Sequence, residues 1–109
     1  MARNESLRGT LNLLVLKALS LNKELSGFAI KQRIAMASKG VLPVRDSSLY
    51  PALKRMTKAG WTVYYTKSTY RRKAKMWIIT KKGEKQLSDE EQQWASFSST
   101  VNGLLKKQW

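Results

Sequence analysis

Asp46-Ser47-Ser48-Leu49-Tyr50-Pro51-Ala52-Leu53-Lys54-Arg55-Met56-Thr57-Lys58-Ala59-Gly60 reads as a short helix marked at both ends. Asp46, Ser47 and Ser48 each offer an oxygen to the free N–H groups of a first turn. Pro51 falls early enough for its missing donor to cost little. Gly60 is expected to close the helix as a left-handed cap. Leu49, Ala52, Leu53 and Met56 share one face at helical spacing. The opposite face carries Ser47, Ser48, Tyr50, Lys54, Arg55 and Lys58. Hydroxyls at the start, cations further along and a buried stripe behind suit a helix that enters a DNA major groove by its N-terminal end. A solvated amphipathic helix has the same pattern, so the flanking segments decide between the two.

Upstream, residues 1–6 are polar and expected to be loose, with Arg3 and Arg8 adding charge near the start. From Leu7 the chain turns apolar through Leu11, Leu13, Leu14, Leu16, Leu19 and Leu21, with Thr10 as a candidate cap and Lys17 the only charge inside. A helix apolar nearly all round is buried on more than one side, here against its own domain and a partner chain. Asn22-Lys23-Glu24 is a turn. Residues 26–38 form a second helix capped by Ser26, with Ile30, Ile34 and Ala37 inward, Phe28 or Ala35 at the margins, and Lys31, Gln32 and Arg33 outward. Val41-Leu42-Pro43-Val44 is an extended connection into the helix quoted above.

Downstream the period changes. Residues 61–66 and 76–80 are rich in β-branched and aromatic side chains. Two short strands joined by the basic run Lys67-Ser68-Thr69-Tyr70-Arg71-Arg72-Lys73-Ala74-Lys75 make a hairpin. That run has no glycine, so a longer mobile tip is expected rather than a tight two-residue turn. A solvated basic loop is the bland alternative; Tyr70 beside Arg71, Arg72 and Lys73 favours contact with a nucleic acid. Thr80 then caps a last helix reaching to about Lys107, roughly 40 Å at ~1.5 Å per residue. Leu87, Trp94, Phe97, Val101, Leu104 and Leu105 recur along it close to an a/d seam. So long a stripe exceeds what one small domain covers, and a second copy of the chain is the simplest partner. Gly103 inside this helix predicts fraying near its end.

At 109 residues this is one small domain, a size that often gains stability by oligomerising. Its net charge is +14, from 21 Lys+Arg against 7 Asp+Glu, which points to a polyanion: nucleic acid first, an anionic membrane surface second. Twelve of those cations lie between Arg45 and Lys85, against only Asp46 and Glu84. There is no cysteine and no histidine, so thiol chemistry is excluded and the commonest general base and metal ligand are missing. Asp89-Glu90-Glu91 suits the first turns of a helix better than a catalytic pair. The expectation is no enzyme, no cofactor and no metal. No apolar run is long enough to span a membrane and no signal-peptide pattern opens the chain, so a cytoplasmic protein without a membrane partner is expected.

The order helix, helix, helix, hairpin, long helix is mainly α with a small β-hairpin. It is the order of a winged helix-turn-helix module (residues 1–80) followed by a dimerisation helix (81–109), together one compact unit. Arg8-Gly9-Thr10-Leu11-Asn12-Leu13-Leu14-Val15-Leu16-Lys17-Ala18-Leu19, Ser26-Gly27-Phe28-Ala29-Ile30, Ser48-Leu49-Tyr50-Pro51-Ala52-Leu53, Gly60-Trp61 and Thr80-Lys81-Lys82-Gly83 resemble the PadR family of bacterial transcriptional regulators over nearly the whole chain. The single C-terminal helix is similar to the short branch that includes multidrug-sensing repressors. The resemblance implies a homodimer that represses by binding an operator, with DNA contacts at Ser48, Tyr50 and Pro51, near Ser26-Gly27-Phe28 and from the wing. Three positions depart from the family's pattern: Ser26 and Phe28 stand where histidine and tyrosine are usual, Met76 and Trp77 where two tyrosines are, and Thr69-Tyr70 where the wing tip has glycine.

The leading expectation is a dimer whose recognition helices enter successive major grooves of a pseudo-palindromic operator on double-stranded DNA. Ser47, Ser48 and Tyr50 are candidates for contacts at or near base edges. Lys54, Lys58, Arg71, Arg72 and Lys73 would mainly neutralise phosphates. Leu11, Leu87, Trp94, Phe97, Val101, Leu104 and Leu105 are candidates for the dimer contact. Trp94 is either a packing knob in that seam or, as the multidrug branch implies, a flat wall stacking a small planar apolar effector, with Phe97 and Leu14 as neighbours. The other reading is a non-specific basic or architectural DNA-binding protein without an effector.

Overall fold

The computed structural model describes residues 2–109, with side chains from residue 9 onward; the side chains of Arg3, Leu7 and Arg8 lie outside the described residues. The chain runs α1 (Ala2–Ser20), β1 (Leu25–Ser26), α2 (Gly27–Ala37), α3 (Asp46–Lys58), β2 (Thr62–Thr69), β3 (Arg72–Ile79) and α4 (Lys81–Leu105). This is a winged helix-turn-helix with a long C-terminal helix. The stripes counted from the sequence meet in one core: Val15, Leu16 and Leu19 of α1, Ile30 and Ile34 of α2, and Leu49, Ala52, Leu53 and Met56 of α3. Ala37 is exposed, because Ile34 is the last residue of α2 that reaches the core. Among the described residues no helix is long and apolar enough to cross a membrane.

Three ends form as the residue types dictate. The Ser26 hydroxyl accepts from the Ala29 N–H at 3.1 Å and starts α2. Thr80 does the same for α4, accepting from the Gly83 N–H at 3.0 Å. Gly60, at φ +84°, ends α3. There the Trp61 N–H reaches the Met56 carbonyl at 2.9 Å and the Gly60 N–H reaches that of Thr57 at 3.0 Å. These paired bonds satisfy two carbonyls that a helix end leaves open.

Several ends differ from expectation. α1 already begins at Ala2, so residues 2–6 are helical rather than loose, and Thr10 lies mid-helix instead of capping it. No side chain caps α3: its N-cap is Arg45, and the Asp46 carboxylate pairs with the Lys31 ammonium of α2. That ion pair ties α2 to the front of α3, a use of Asp46 that its place in the sequence did not separate from capping. Pro51 sits in the second turn, where the helix forgoes one internal bond.

The hairpin differs most. β2 and β3 pair over all eight residues, from Thr62 with Ile79 to Thr69 with Arg72, leaving only Tyr70 and Arg71 in the turn. The tip is therefore tight, not a long mobile loop. Lacking glycine excludes only turns that need left-handed residues, and neither Tyr70 nor Arg71 adopts a positive φ. A third strand, β1, pairs with β3 through Leu25–Trp77 and Ser26–Met76, so β3 is central in the order β1-β3-β2.

The end of α3 is locked to the start of α4. The Thr80 N–H donates to the Trp61 carbonyl at 3.0 Å, and the Thr80 hydroxyl donates to the Gly60 carbonyl at 2.6 Å. Gly83 packs so closely that an added Cβ would stand 2.0 Å from the Trp61 carbonyl oxygen. Leu87, counted from the sequence as a dimer contact, is buried in this chain's own core. The rest of α4 leaves the domain, giving the molecule a longest extent of 62 Å against 28 and 26 Å across.

Candidate nucleic-acid interface

α3 turns its apolar stripe inward and leaves Ser47, Ser48, Pro51, Lys54 and Lys58 exposed along its outer face. Helical geometry splits that face into two edges. Ser47, Pro51 and Arg55, four residues apart, form the edge beside α1; Tyr50 and Lys54 form the edge beside α2 and the wing.

Tyr50 does not stand free on this surface. Its ring lies 6.2 Å from that of Trp77, tilted by 54°, and its phenol rests against Gly27, where an added Cβ would come within 2.5 Å of the hydroxyl oxygen. Trp77 in turn lies 5.8 Å from Tyr64, its cross-strand partner on β2. The Lys75 ammonium sits 4.7 Å from the Tyr64 ring, a favourable cation–π distance. An aromatic column thus runs from the wing through buried Trp77 to the recognition helix. It directs the Tyr50 hydroxyl toward the first turn of α2 rather than straight out along α3. Ser26 opens that turn half-buried, with its oxygen engaged in the cap. Phe28 is exposed beside it, 5.6 Å from the Lys31 ammonium.

The wing exposes Tyr70, Arg71, Arg72 and Lys73 at its tip, with the Arg71 guanidinium 5.3 Å from the Tyr70 ring. Lys54, Lys58, Arg71, Arg72 and Lys73 meet no carboxylate among the described residues. Their charge is available to an external anion. At the base of the wing the Tyr65 hydroxyl donates to both Glu24 oxygens, at 2.7 and 2.9 Å, and Lys67 approaches Glu24 at 3.6 Å. The hydrogen bond to Glu24, then desolvation and that carboxylate's charge, hold the Tyr65 pKa above its ordinary value, so the phenol stays a donor. Glu24 thereby braces the wing against the turn after α1.

Gly27, Trp77 and Glu24 are named in the sequence only as parts of a helix start, a wing strand and a turn; their contacts with Tyr50 and Tyr65 are what sequence reasoning missed. Only the Gly27–Tyr50 pairing had a signal, since both lie in segments singled out for other reasons. If the exposed wing cations sit on phosphates, Arg71→Ala with Arg72→Ala should weaken binding to every duplex alike. The slope of log affinity against log salt should become shallower by about two; an unchanged slope in a salt titration would remove the wing from the interface.

The candidate effector residues separate. Trp94 and Phe97 form a tilted pair on the projecting part of α4, ring centroids 6.2 Å apart, 50 % and 62 % exposed. Leu14 instead lines a cleft between α1, the α2–α3 connection and α3, and Trp94 is not among its walls. Leu11 lines the same cleft. Val101 is half-buried, and Leu104 and Leu105 continue the exposed stripe. Among the described residues no group of His, Cys, Asp or Glu could hold a metal ion.

Comparison with known proteins bears on this surface. The chain is 27% identical, over 97% of both chains, to an uncharacterized protein of Lysinibacillus sphaericus. It is similar to a PadR-like transcriptional regulator from Bacillus cereus (30% identity, TM-score 0.78, 95% of this chain and 99% of that one). It is also similar to a PadR family transcriptional regulator from Eggerthella lenta (26%, 0.83, 98% and 92%). A third similar structure is Bacillus subtilis PadR in complex with operator DNA (27%, 0.66), which covers 73% of this chain and 45% of that one. The model of the transcriptional regulator PadR-like family matches residues 15–89, and with recognition helix, wing and α4 all in place the chain belongs to that family.

Proposed function

We propose that this regulator is a homodimeric, sequence-specific DNA-binding repressor acting in the bacterial cytoplasm, released from its operator by a small planar apolar ligand. The observation that carries the DNA reading is the exposed outer face of α3 flanked by a wing whose tip cations, Arg71, Arg72 and Lys73, have no carboxylate partner among the described residues. The operator complex of the similar Bacillus subtilis protein supports it. Ser47, Ser48, Pro51 and Tyr50 would meet the major groove, with Ser26 and the wing on the flanking backbone. The stripe Trp94, Phe97, Val101, Leu104 and Leu105 is apolar surface that a second copy would cover. Its two aromatic rings offer a flat wall for a planar ligand, which is the basis of the release step.

Selection from a randomised duplex pool tests this reading. It should enrich a pseudo-palindrome with half-sites about 34 Å apart, bound ~10³-fold or more over scrambled duplex at physiological salt. The +14 charge favours one other reading, a non-specific DNA-binding protein. Equal, salt-sensitive binding to every duplex with no enrichment would establish that reading instead.

A further inference from the structure

Tyr50 stands on the outer face of α3 and Trp77 in β3, yet their rings meet at 6.2 Å with a tilt of 54°, a favourable aromatic geometry. Trp77 is only 6 % exposed, whereas Tyr50 is exposed. One ring is the anchor and the other reaches solvent. The anchor is held on both sides of its strand, by Leu25 of β1 and Tyr64 of β2 in register. Leu25 is buried, and the Tyr64 ring lies 5.8 Å from that of Trp77. Directly paired residues of an antiparallel sheet share a face, so Leu25, Trp77 and Tyr64 make one row, and Tyr50 leans on its centre.

Tyr50 also meets Gly27, where no Cβ competes for the space that the phenol fills. A helix start and an indole therefore confine the ring, while its hydroxyl makes no hydrogen bond among the described residues. Such a phenol delivers a free polar group to the surface in a set position, and less ordering is left to be done on binding.

Trp77 belongs to the same core cluster as Leu16 and Leu53. Filling a core asks only for apolar volume. The contact with Tyr50 asks for a ring, and for one set in the row from which the wing grows. Beyond Trp77 and Tyr64 the same two strands run on through Lys75 opposite Thr66 to the tip. Wing and recognition helix thus share one side chain.

We infer that Trp77 is a positioning residue for DNA recognition: it sets the ring of Tyr50 and ties that pose to the wing, so that Trp77 governs which duplex is preferred rather than how tightly DNA is held in general. The role in recognition rests on the DNA-binding reading above. The contact itself stands on the ring geometry alone, and the two are tested separately.

The free full-length protein, isotope-labelled at tyrosine, comes first. Tyr50 ring resonances, identified by their absence in Tyr50→Phe, should move in Trp77→Leu, which removes the ring current of the indole. Unmoved resonances would overturn the contact. Duplex binding follows, with the operator enriched from the randomised pool and its scrambled counterpart. Trp77→Leu should lower operator affinity by about tenfold or more and scrambled-duplex affinity by less than about threefold. Trp77→Phe also shrinks the core but keeps a ring, and it should recover most of the preference. Val63→Ala, on the opposite face of the sheet from Tyr64, should leave the preference unchanged. Trp77→Leu added to Tyr50→Ala should cost no further preference, because both act through one ring. A preference kept in Trp77→Leu, an equal loss on both duplexes, or no recovery in Trp77→Phe would each overturn the positioning role. If Trp77→Leu does not fold, Tyr64→Leu decides: it removes the wing-side ring of the row and should lower the preference, and an unchanged preference would overturn the tie to the wing. A wild-type protein that prefers neither duplex removes the DNA reading and with it the role in recognition, while the resonances still decide the contact.

Discussion

Gly83→Ala is expected to lower the thermal midpoint by about 10–20 °C, while Gly103→Ala, in the same helix, should leave it unchanged or raise it slightly. The two positions look alike in sequence: each is a glycine inside α4. At Gly83 the added Cβ would stand 2.0 Å from the Trp61 carbonyl oxygen and 2.8 Å from Ile79 Cγ1. The first neighbour is backbone and cannot swing aside, so α4 must move away from the end of α3. That movement breaks the Thr80 N–H bond to Trp61 and the Thr80 hydroxyl bond to Gly60, and it lifts Leu87 from the core. Overpacking of this kind costs about 1–3 kcal/mol, and each lost bond adds to it. At Gly103 nothing lies within 4 Å of the added Cβ, and alanine gains up to about 1 kcal/mol in helix propensity. Melts of the two variants followed by circular dichroism decide the matter. A Gly83→Ala midpoint equal to wild type would mean that the α3–α4 junction is looser than described.

Gly27→Ala is expected to lower duplex affinity by tenfold or more with a much smaller effect on the fold. Here the added Cβ would come within 2.5 Å of the Tyr50 hydroxyl oxygen and 2.8 Å of its ring carbon Cε1. Unlike a carbonyl in a junction, this neighbour is a side chain 43% exposed, so it has somewhere to go. The ring would rotate away from α2 and lose its placement against Trp77. Under the proposed function that changes the surface offered to the operator while the buried stripe of α3 stays in place. Tyr50→Ala should also weaken binding, and the double variant should lose less than the sum, because both changes act through one ring. Anisotropy titrations of a labelled operator give all three values. Strictly additive losses would show that Gly27 and Tyr50 act independently.

Both predictions concern contacts between segments far apart in the chain, and this marks the limit of what the sequence by itself determined. Its periodicity placed the four helices, because Leu49, Ala52, Leu53 and Met56, or Ile30 and Ile34, fall on one face only at helical pitch. Ser26, Thr80 and Gly60 marked three ends, since each end needs an oxygen or a left-handed residue within a few positions. Such signals are local, and they sufficed for the order of the helices and the hairpin and for the outer face of α3. Tertiary structure alone decided the remainder. β1 is two residues long, too short for any alternation to show, and exists because Trp77 and Met76 of β3 pair with it. The hairpin tip closed on Tyr70 and Arg71 because eight cross-strand pairs outweigh the absence of a favoured turn residue. Asp46 turned from cap to ion pair because Lys31 lies opposite. Leu87 and Trp94 share one helical repeat, yet the first is buried at home and the second projects. Their fates differ only because α4 runs past the end of the domain between them, and a repeat along a helix carries no information about where its neighbours stop.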